Sequence, residues 1–418
     1  MMMIENNKTK KDPLVLSLAK VLTEKDTLSR RKFIQIAGAS LAVLSFPMSS
    51  AFAVQASKSK LNNKSKPKIV WVVLRGALDS LHTIVPTFDK QYAKLRPKLS
   101  TSFDSPLLPL EKGFSLHPSL TNLYHWYQEK SLLPIVAVSS GYLKRSHFDG
   151  QDFLESGKGE IDHDSGWLAR AIDIKNKSAL AIARSTPISL RSPLVYSEKV
   201  NTWYPSKFKN VDEDIYLALN KLYKNDQALK VSLTSALKMK NLVADNSQSK
   251  KKHGKFIDLA KSCAKLMTAE EGVDCAMLEL GGWDTHNNQS SRLSRKLSEL
   301  DTGLAELKVG LGDEWQNTVV IIGTEFGRTA KENGTGGTDH GTASGLFIAG
   351  GAVNGGKVKG RWPGLKRDEL FQQRDLMPTS NSFSWIASLL SQHWHLSEQE
   401  LQQVFPQVKL YDDILICS

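Results

Sequence analysis

The sequence predicts an α/β protein, a three-layer αβα sandwich in which helices cover both faces of a mostly parallel central sheet. Two observations point to this class. Short, continuous runs of apolar and β-branched residues have the composition of strands that are buried on both faces. Segments with helical spacing separate these runs, and strands that alternate with helices form parallel sheets because each crossover needs a long connection.

Four apolar runs are predicted as the main strands, and helices are predicted between them. The strands cover residues 69–74, 132–138, 275–280 and 318–322, and a further apolar run follows at 346–349. The predicted helices cover residues 118–129, 166–174, 212–239, 256–270 and 289–309, and another helical pattern ends at Leu154. Short apolar runs and prolines at 179–210 predict small strands at the sheet edge. Residues 362–418 are predicted to be mostly helical.

The first 53 residues have the features of a twin-arginine signal peptide. Arg30 and Arg31 precede a moderately apolar run at 37–46 and an Ala-x-Ala cleavage site at 51–53. This run is shorter than the roughly 20 residues that a membrane-spanning helix needs. We therefore expect export of the folded chain by the twin-arginine translocase, removal of the signal, and no stable membrane span afterwards.

A disordered basic linker is predicted at residues 54–65, and one folded domain at 66–415. The formal net charge of the chain is +12. Residues 1–53 carry +4 and residues 54–68 carry +5, so the rest carries only 12 − 4 − 5 = +3. The folded domain is thus nearly neutral, which argues against nucleic acid as a partner.

Three cysteines match neither a zinc spacing nor a disulfide framework. Cys263, Cys275 and Cys417 are predicted to be buried thiols, and a bridge between Cys263 and Cys275 is an alternative in an oxidising compartment.

Five polar clusters each follow a predicted strand. They are Asp79, Ser146 with His147, Asp284 with His286, Glu325 with Arg328, and Asp339 with His340. In a parallel sheet the carboxyl ends of the strands lie on one edge, so these clusters are expected to converge on one site.

The residue types at this edge predict a metal site. Asp284 and His286 lie on one face of an extended segment, and a carboxylate with an imidazole is typical of zinc, manganese or iron rather than calcium. The neighbours Asp339 and His340 could bind two metals, or one could bind while the other orients it. In a structural alternative, the acidic residues cap the helices that follow and the histidines pack in a polar core.

At these motifs the sequence resembles a known family. The motifs are R-G-A-L-D-S-L-H-T-I-V-P at 75–86, R-S-H-F at 145–148, G-G-W-D-T-H at 281–286, T-E-F-G-R-T at 324–329, G-G-T-D-H-G at 336–341 and G-G-K-V-K-G-R-W-P-G-L at 355–365. Together they resemble the uncharacterised bacterial family called domain of unknown function 1501. That family is similar to the alkaline phosphatase and sulfatase superfamily, whose members hydrolyse or transfer phosphate and sulfate groups at a one- or two-metal site.

The resemblance implies an alkaline-phosphatase-like fold and one or two divalent metals, with zinc or manganese preferred over calcium. With the residue pattern, it nominates as metal ligands Asp79, Asp284, His286, Glu325, Asp339 and His340. The nominated catalytic residues are Ser146, Arg145, His147 and Arg328, with Ser146 or a metal-activated water as the nucleophile. The Asp-His pair of a second metal falls at Glu325-Phe326, and phenylalanine cannot bind a metal, so the number of metals stays open.

The expected function is a periplasmic, metal-dependent hydrolase of phosphate or sulfate esters, with a small anionic ester or an acidic glycan as substrate. The alternative is a catalytically degenerate binding protein of the cell envelope that holds an acidic glycan or a protein partner. Phe326 favours this alternative, whereas Asp284, His286 and His340 favour the enzyme. An exported oxidoreductase has little support because no dinucleotide motif is present. Substrate-contacting residues are expected in segments 185–210 and 350–374, which contain Arg191, Trp203, Tyr204, Arg361 and Trp362.

Overall fold

The computed structural model describes residues 66–192, 199–205, 213–226, 255–406 and 408–417, with three two-residue stretches between 229 and 237. The predicted signal (1–53) and linker (54–65) lie outside these residues, as does much of the helix predicted at 212–239. Among the described helices, none has both the length and the apolar character that crossing a bilayer requires.

An eight-stranded sheet forms the middle layer. Its strands are β1 (Lys68–Arg75), β5 (Leu132–Ser139), β6 (Ala179–Ala181), β7 (Val200–Thr202), β8 (Cys275–Gly281), β9 (Thr318–Gly323), β10 (Ser344–Ala349) and β11 (Ser380–Asn381). Their order is β11-β5-β10-β9-β1-β8-β6-β7. Only β10 runs antiparallel to its neighbours in this sheet of described residues. The predicted α/β class with a mostly parallel sheet is therefore confirmed.

Strand β1 shows why the sheet has a layer on each face. Val70, Val72 and Leu74 belong to one hydrophobic cluster, while the alternate residues Ile69, Trp71 and Val73 belong to another. All six are fully buried. Because successive side chains of a strand point to opposite faces, a continuous apolar run can be satisfied only when helices cover both faces.

The helices divide between these two clusters. Those on the side of Val72 are α3 (Thr121–Gln128), α7 (Phe256–Met267) and α8 (Gln289–Leu311). Those on the side of Trp71 are α4 (His147–Ser156), α5 (Trp167–Lys175), α9 (Ser382–His393) and α10 (Glu398–Val404). The remaining elements are α1 (Ser80–Thr83), α2 (Lys90–Leu95), α6 (Glu213–Leu222) and a small sheet of β2 (Ile84–Pro86), β4 (Phe114–Leu116) and β3 (Leu108–Pro109).

The prediction that residues 362–418 are mostly helical is wrong. Helix is confined to α9 and α10, and residues 362–379 form irregular chain with turns. Pro363, Gly364 and Pro378 oppose helix there, because proline lacks an N–H donor and glycine loses the most backbone entropy. The prediction of small strands at the sheet edge is confirmed by β6 and β7. Cys263 and Cys275 are buried free thiols as predicted, whereas Cys417 is exposed, so the prediction of a buried thiol is wrong there.

Candidate functional site

The carboxyl ends of β1, β5, β8 and β9 lie on one edge of the sheet. The loops that leave this edge carry the polar clusters noted in the sequence. Because β10 runs antiparallel to β9, the loop between them (residues 324–343) starts and ends at this same edge. The whole glycine-rich segment is therefore held beside the ends of the other strands.

Three histidines and an arginine surround one carboxylate oxygen, Oδ1 of Asp284. The Nη1 atom of Arg328 lies 2.6 Å from it, and the Nε2 atoms of His286, His340 and His147 lie at 3.0, 3.2 and 3.4 Å. The Nε2 atoms of His286 and His340 are 3.0 Å apart. We call Asp284, His147, His286 and His340 the histidine cluster.

The other ring nitrogen of each histidine faces an oxygen. The Nδ1 atom of His147 lies 2.8 Å from Oε1 of Glu325, and that of His286 lies 3.0 Å from Oδ1 of Asp339. The Nδ1 atom of His340 lies 2.9 Å from the carbonyl oxygen of Arg145. Carbonyl and ionised carboxylate oxygens only accept hydrogen bonds, so these partners assign the hydrogen to Nδ1 and leave a lone pair on Nε2 of each neutral ring.

This arrangement fits a metal ion. Lone pairs that face one another and a carboxylate repel unless a cation lies between them, and Nε2 of His147 is buried without a hydrogen-bond partner. His147, Asp284 and His340 offer ligand atoms that all lie within 4.8 Å of one another. Metal-binding histidines characteristically donate their second N–H to a carboxylate or carbonyl, as all three do here.

Arg328 keeps Asp284 ionised. Burial pushes the pKa of Asp284 upward, but the hydrogen bond and charge of Arg328 outweigh it and hold the pKa at about 2. The Arg328 side chain is itself buried and also donates to the hydroxyl and carbonyl of Thr338. The carboxylate is therefore charged and oriented at neutral pH.

Close backbone contact holds Arg328 and His340 side by side. The two residues form an antiparallel bridge, and the amide of Gly341 donates to the carbonyl of Gly327 at 2.8 Å. A Cβ atom on Gly327 would lie 1.8 Å from the carbonyl oxygen of Ala343. This close approach explains why glycine is needed at this position of the loop.

The structure does not bring Asp79 into the histidine cluster, although the sequence nominated it as a metal ligand. Its buried carboxylate accepts from Nη1 of Arg96 at 2.7 Å and from the side chain of Gln289, and it caps α1 through the amide of His82. Burial pushes its pKa upward, but Arg96 outweighs this and lowers the pKa. Both oxygens thus have structural partners, as in the helix-capping alternative.

Glu325 and Asp339, nominated as ligands, contact the Nδ1 atoms of His147 and His286 rather than the Nε2 atoms that face Asp284. Glu325 is fully buried and also accepts from the amide of Gly76 at 2.8 Å and the hydroxyl of Thr324 at 2.9 Å. Asp339 is half exposed and also accepts from Asn333 at 3.2 Å. Their contacts suit orientation of His147 and His286.

The nominated catalytic residues lie in different surroundings. The carbonyl oxygen of Arg145 accepts from His340, but the guanidinium of Arg145 pairs with Asp375 at 2.7 Å. Ser146 is the N-cap residue that precedes α4, and its side chain interacts with Tyr142. His147, nominated for catalysis, belongs to the candidate ligands. Phe326 stacks on the ring of His147 with centroids 5.0 Å apart and forms an apolar wall.

Gln289 is a site residue that the sequence did not reveal. It is fully buried, donates to Asp79, and accepts from the hydroxyls of Thr285 and Thr338 at 2.9 and 2.6 Å. Through Thr338 it connects Asp79 with Arg328. A glutamine at the first position of a helix has no sequence signal that separates it from a solvated residue.

We expect Glu325→Gln to weaken metal binding by about a hundredfold and Asp339→Asn by about tenfold. Loss of an outer partner of a metal ligand costs roughly 10–100-fold in affinity. Glu325 is fully buried, whereas water can replace the half-exposed Asp339. Titration calorimetry of metal-free protein with zinc measures both values, and equal affinities in the two variants and the unaltered protein would exclude this orienting role.

Comparisons with known proteins place these observations in a family. No curated protein matches the chain. Among solved structures, the chain is similar to Ps i-CgsB in complex with k-i-k-neocarrahexaose (11% identity, 82% of this chain and 75% of that chain covered, TM-score 0.35). It is also similar to the C-terminal periplasmic domain of EcEptC from Escherichia coli in complex with Zn (9%, 88% and 95%, 0.42). A third is alkaline phosphatase from the Antarctic bacterium TAB5 (11%, 68% and 92%, 0.34).

These TM-scores are too low to carry an argument about activity or ligands. The family described as "Protein of unknown function (DUF1501)" matches residues 137–405, which is more than half of the chain and includes the complete histidine cluster. The chain belongs to this family, DUF1501.

Proposed function

We propose that this protein is a metal-dependent hydrolase of phosphate or sulfate esters. The observation that carries the proposal is the set of three histidine Nε2 atoms that meet at the Asp284 carboxylate. Each ring is fixed by an oxygen behind it, so the ligand atoms are positioned before a metal arrives. Such preorganisation is expected of a built metal site and is unnecessary for a polar core.

In this proposal His147, Asp284 and His340 hold the metal and His286 completes the cluster. A divalent cation bound there would offset negative charge on the ester oxygens. Imidazole nitrogens favour zinc or manganese over calcium, which prefers all-oxygen ligands. Arg328 keeps Asp284 ionised, and Phe326 excludes water from one side of His147 and His340.

Of the two candidate nucleophiles, the contacts favour water over Ser146. The Ser146 side chain interacts with Tyr142, and within the described part of the chain it makes no hydrogen bond to the histidine cluster. Ser146→Ala is thus expected to retain activity, whereas a serine nucleophile requires that this variant be inactive.

We expect the metal-loaded protein to hydrolyse 4-nitrophenyl phosphate, bis(4-nitrophenyl) phosphate or 4-nitrophenyl sulfate. A chelator should remove the activity and zinc or manganese should restore it. Asp284→Asn should lower kcat/KM by about a hundredfold or more, because it removes the charged ligand of the metal that offsets negative charge on the ester. The matched control is Asp104→Asn, an exposed carboxylate outside the cluster. Absence of turnover with all three esters and both metals would contradict the proposal.

A second function, binding without turnover, is favoured by one observation. The guanidinium of Arg145 is paired with Asp375, and the guanidinium of Arg328 with Asp284. Neither cation beside the cluster is free to bind an ester oxygen. A degenerate binding protein of the cell envelope would bind metal and an acidic glycan but would hydrolyse none of the three esters. The same assays distinguish this protein from an enzyme.

We also propose that the protein is exported to the periplasm by the twin-arginine route. Arg30→Lys with Arg31→Lys is expected to retain the protein in the cytoplasm, because the translocase reads the paired arginines. Fractionation with a periplasmic marker measures this, and Lys10→Arg with Lys11→Arg serves as the charge-conserving control. Unchanged export of the Arg30 and Arg31 variant would exclude the route.

A further inference from the structure

A second feature opens at the same edge of the sheet as the histidine cluster. It is a cleft of about 630 Å³, within the range of roughly 300–1,000 Å³ that small-molecule sites occupy. Its wall includes Arg75, Arg184, Arg191, Tyr204, Glu279 and Lys296. Nothing in the proposed chemistry at the cluster uses these residues.

Two elements lead from the cleft to the cluster. Glu279 and Gly281 at the end of β8 line the cleft, and Asp284 follows them directly. Helix α4 begins at His147 and places Glu155 two turns further on, in the cleft wall. At 1.5 Å per residue, Glu155 lies about 12 Å along the helix from His147. A ligand somewhat longer than one ring could therefore reach from the cleft to the cluster.

Hydrogen bonds also connect the two sites. Arg75 donates to the side chain of Gln151, and Gln151 donates to Glu325 at 3.3 Å. Glu325 is the carboxylate that orients His147. The wall of the cleft and the candidate ligand are thus parts of one polar network.

Two guanidinium groups on the cleft wall have no carboxylate partner among the residues that the structure describes. Arg75 pairs with Glu155 and Glu279 at 2.6 Å each, and Lys296 pairs with Glu299 at 2.8 Å. In contrast, Arg184 and Arg191 form no ion pair with any described residue.

The contacts of Arg184 and Arg191 leave both groups available to a ligand. Arg191 is fixed by donating to the carbonyls of Thr186 and His163 at 3.1 and 2.9 Å. Arg184 lies over the ring of Tyr204, 5.1 Å from its centroid. Both arginines are exposed.

We infer that this cleft binds an anionic oligosaccharide, with Arg184 and Arg191 holding a sulfate, phosphate or carboxylate on a ring next to the one whose ester lies at the cluster. Guanidinium groups bind such anions through paired hydrogen bonds. The assignment of the ester position rests on the proposed function; the binding of the glycan does not.

The rest of the lining fits a sugar. Hydroxyl groups both donate and accept, and the cleft offers carboxylate acceptors such as Glu299 beside cationic donors such as Lys296. The ring of Tyr204 provides an apolar surface with a polar tip. A nucleic acid instead needs an uninterrupted basic surface, and the acids of this wall oppose it. Trp362, another aromatic expected at a substrate, packs against Phe88 and Phe114 away from this cleft.

Titration of the metal-loaded full domain with three tetrasaccharides tests the inference: a chondroitin sulfate tetrasaccharide, a tetragalacturonate and uncharged maltotetraose. We expect at least one charged ligand to bind about tenfold or more tightly than maltotetraose. Arg184→Ala with Arg191→Ala should remove this difference, while Lys357→Ala with Lys409→Ala, which removes two exposed charges elsewhere, should retain it. Tyr204→Ala should weaken all ligands that bind the unaltered protein.

The outcomes separate this inference from the proposed function. Equal binding of charged and neutral ligands, or an undiminished preference in the double arginine variant, overturns the inference even if small esters are hydrolysed. A preference that the double variant loses supports it even if no ester is hydrolysed. In an active enzyme the double variant should raise KM for a sulfated or phosphorylated tetrasaccharide about tenfold. Circular dichroism and melting of the variant show whether it is folded.

Discussion

Replacing His147 by alanine is expected to abolish tight metal binding. The variant removes one of three converging ligand atoms, so affinity should fall by more than the roughly 10–100-fold that loss of an outer partner costs. A metal at a free concentration of 100 times its Kd stabilises a folded protein by about 2.7 kcal/mol. The unaltered protein should therefore melt at a higher temperature with zinc than with a chelator, and His147→Ala should lose this difference. His340→Ala should behave in the same way.

His125→Ala is the matched control, because His125 is exposed on α3 and lies outside the cluster. It should retain the bound metal, measured by elemental analysis after gel filtration, and the zinc-dependent melting shift. A His147→Ala protein that binds zinc as tightly as the control would show that the histidine cluster is a polar core rather than a metal site.

Arg96→Met is expected to destabilise the domain by about 3–5 kcal/mol, the cost of leaving a buried charge unpaired. Arg96 is fully buried, and its guanidinium donates to Asp79 at 2.7 Å and to the carbonyls of Ala330 and Thr329 at 2.9 and 2.8 Å. Without this guanidinium the Asp79 carboxylate loses its charged partner, and the two carbonyls lose their hydrogen bonds. Denaturant titration measures the free energy of unfolding.

The pKa of Asp79 determines how the stability from this buried pair changes with pH. In the unaltered protein the pKa of Asp79 is lowered in the folded state. The stability from the pair is therefore present above the unfolded pKa of 3.8 and is lost as the pH falls through the lower folded value. Without Arg96, burial, which is the largest influence and raises the pKa of Asp79, is opposed mainly by the weaker effects of His82 and Gln289. We therefore expect the pKa to rise, so that acid stabilises the variant relative to neutral pH.

A double variant separates pairing from metal binding. Asp79→Leu with Arg96→Met replaces the buried pair by apolar side chains and should recover much of the lost stability. Zinc affinity should be unchanged in this double variant if Asp79 has only a structural role. A large loss of zinc affinity in a folded double variant would restore Asp79 as a ligand.

The fold was predictable from the sequence because it depends on local patterns. The run at 69–74 is apolar throughout, and no arrangement except a strand between two layers buries every side chain of such a segment. The helical prediction fails at 362–379 because Pro363 and Pro378 oppose helix there. The helix of the last segment is limited to the stretch between Ser382 and Val404.

The candidate site was predictable only in part, because pairing across the fold leaves little local signal. Asp284, His286 and His340 follow strand ends, and topology places such residues together. Asp79 follows a strand end equally well, but Arg96, the residue that directly follows α2, pairs with it. The side chain of Arg145 is committed to Asp375, and no feature of the R-S-H-F motif indicates that partner.

The position of β10 has a consequence for how the chain is made. Strand β5, which leads to His147, emerges early from the ribosome, yet its sheet neighbours are β10 and β11, both from the last part of the sequence. Until they arrive, the apolar strand Leu132–Ser139 has no partner in the sheet, and an unpaired apolar strand is an aggregation hazard. Assembly of the histidine cluster must therefore wait until synthesis is nearly complete, and a chain that stops short of β10 has no means of placing His147 beside Asp284.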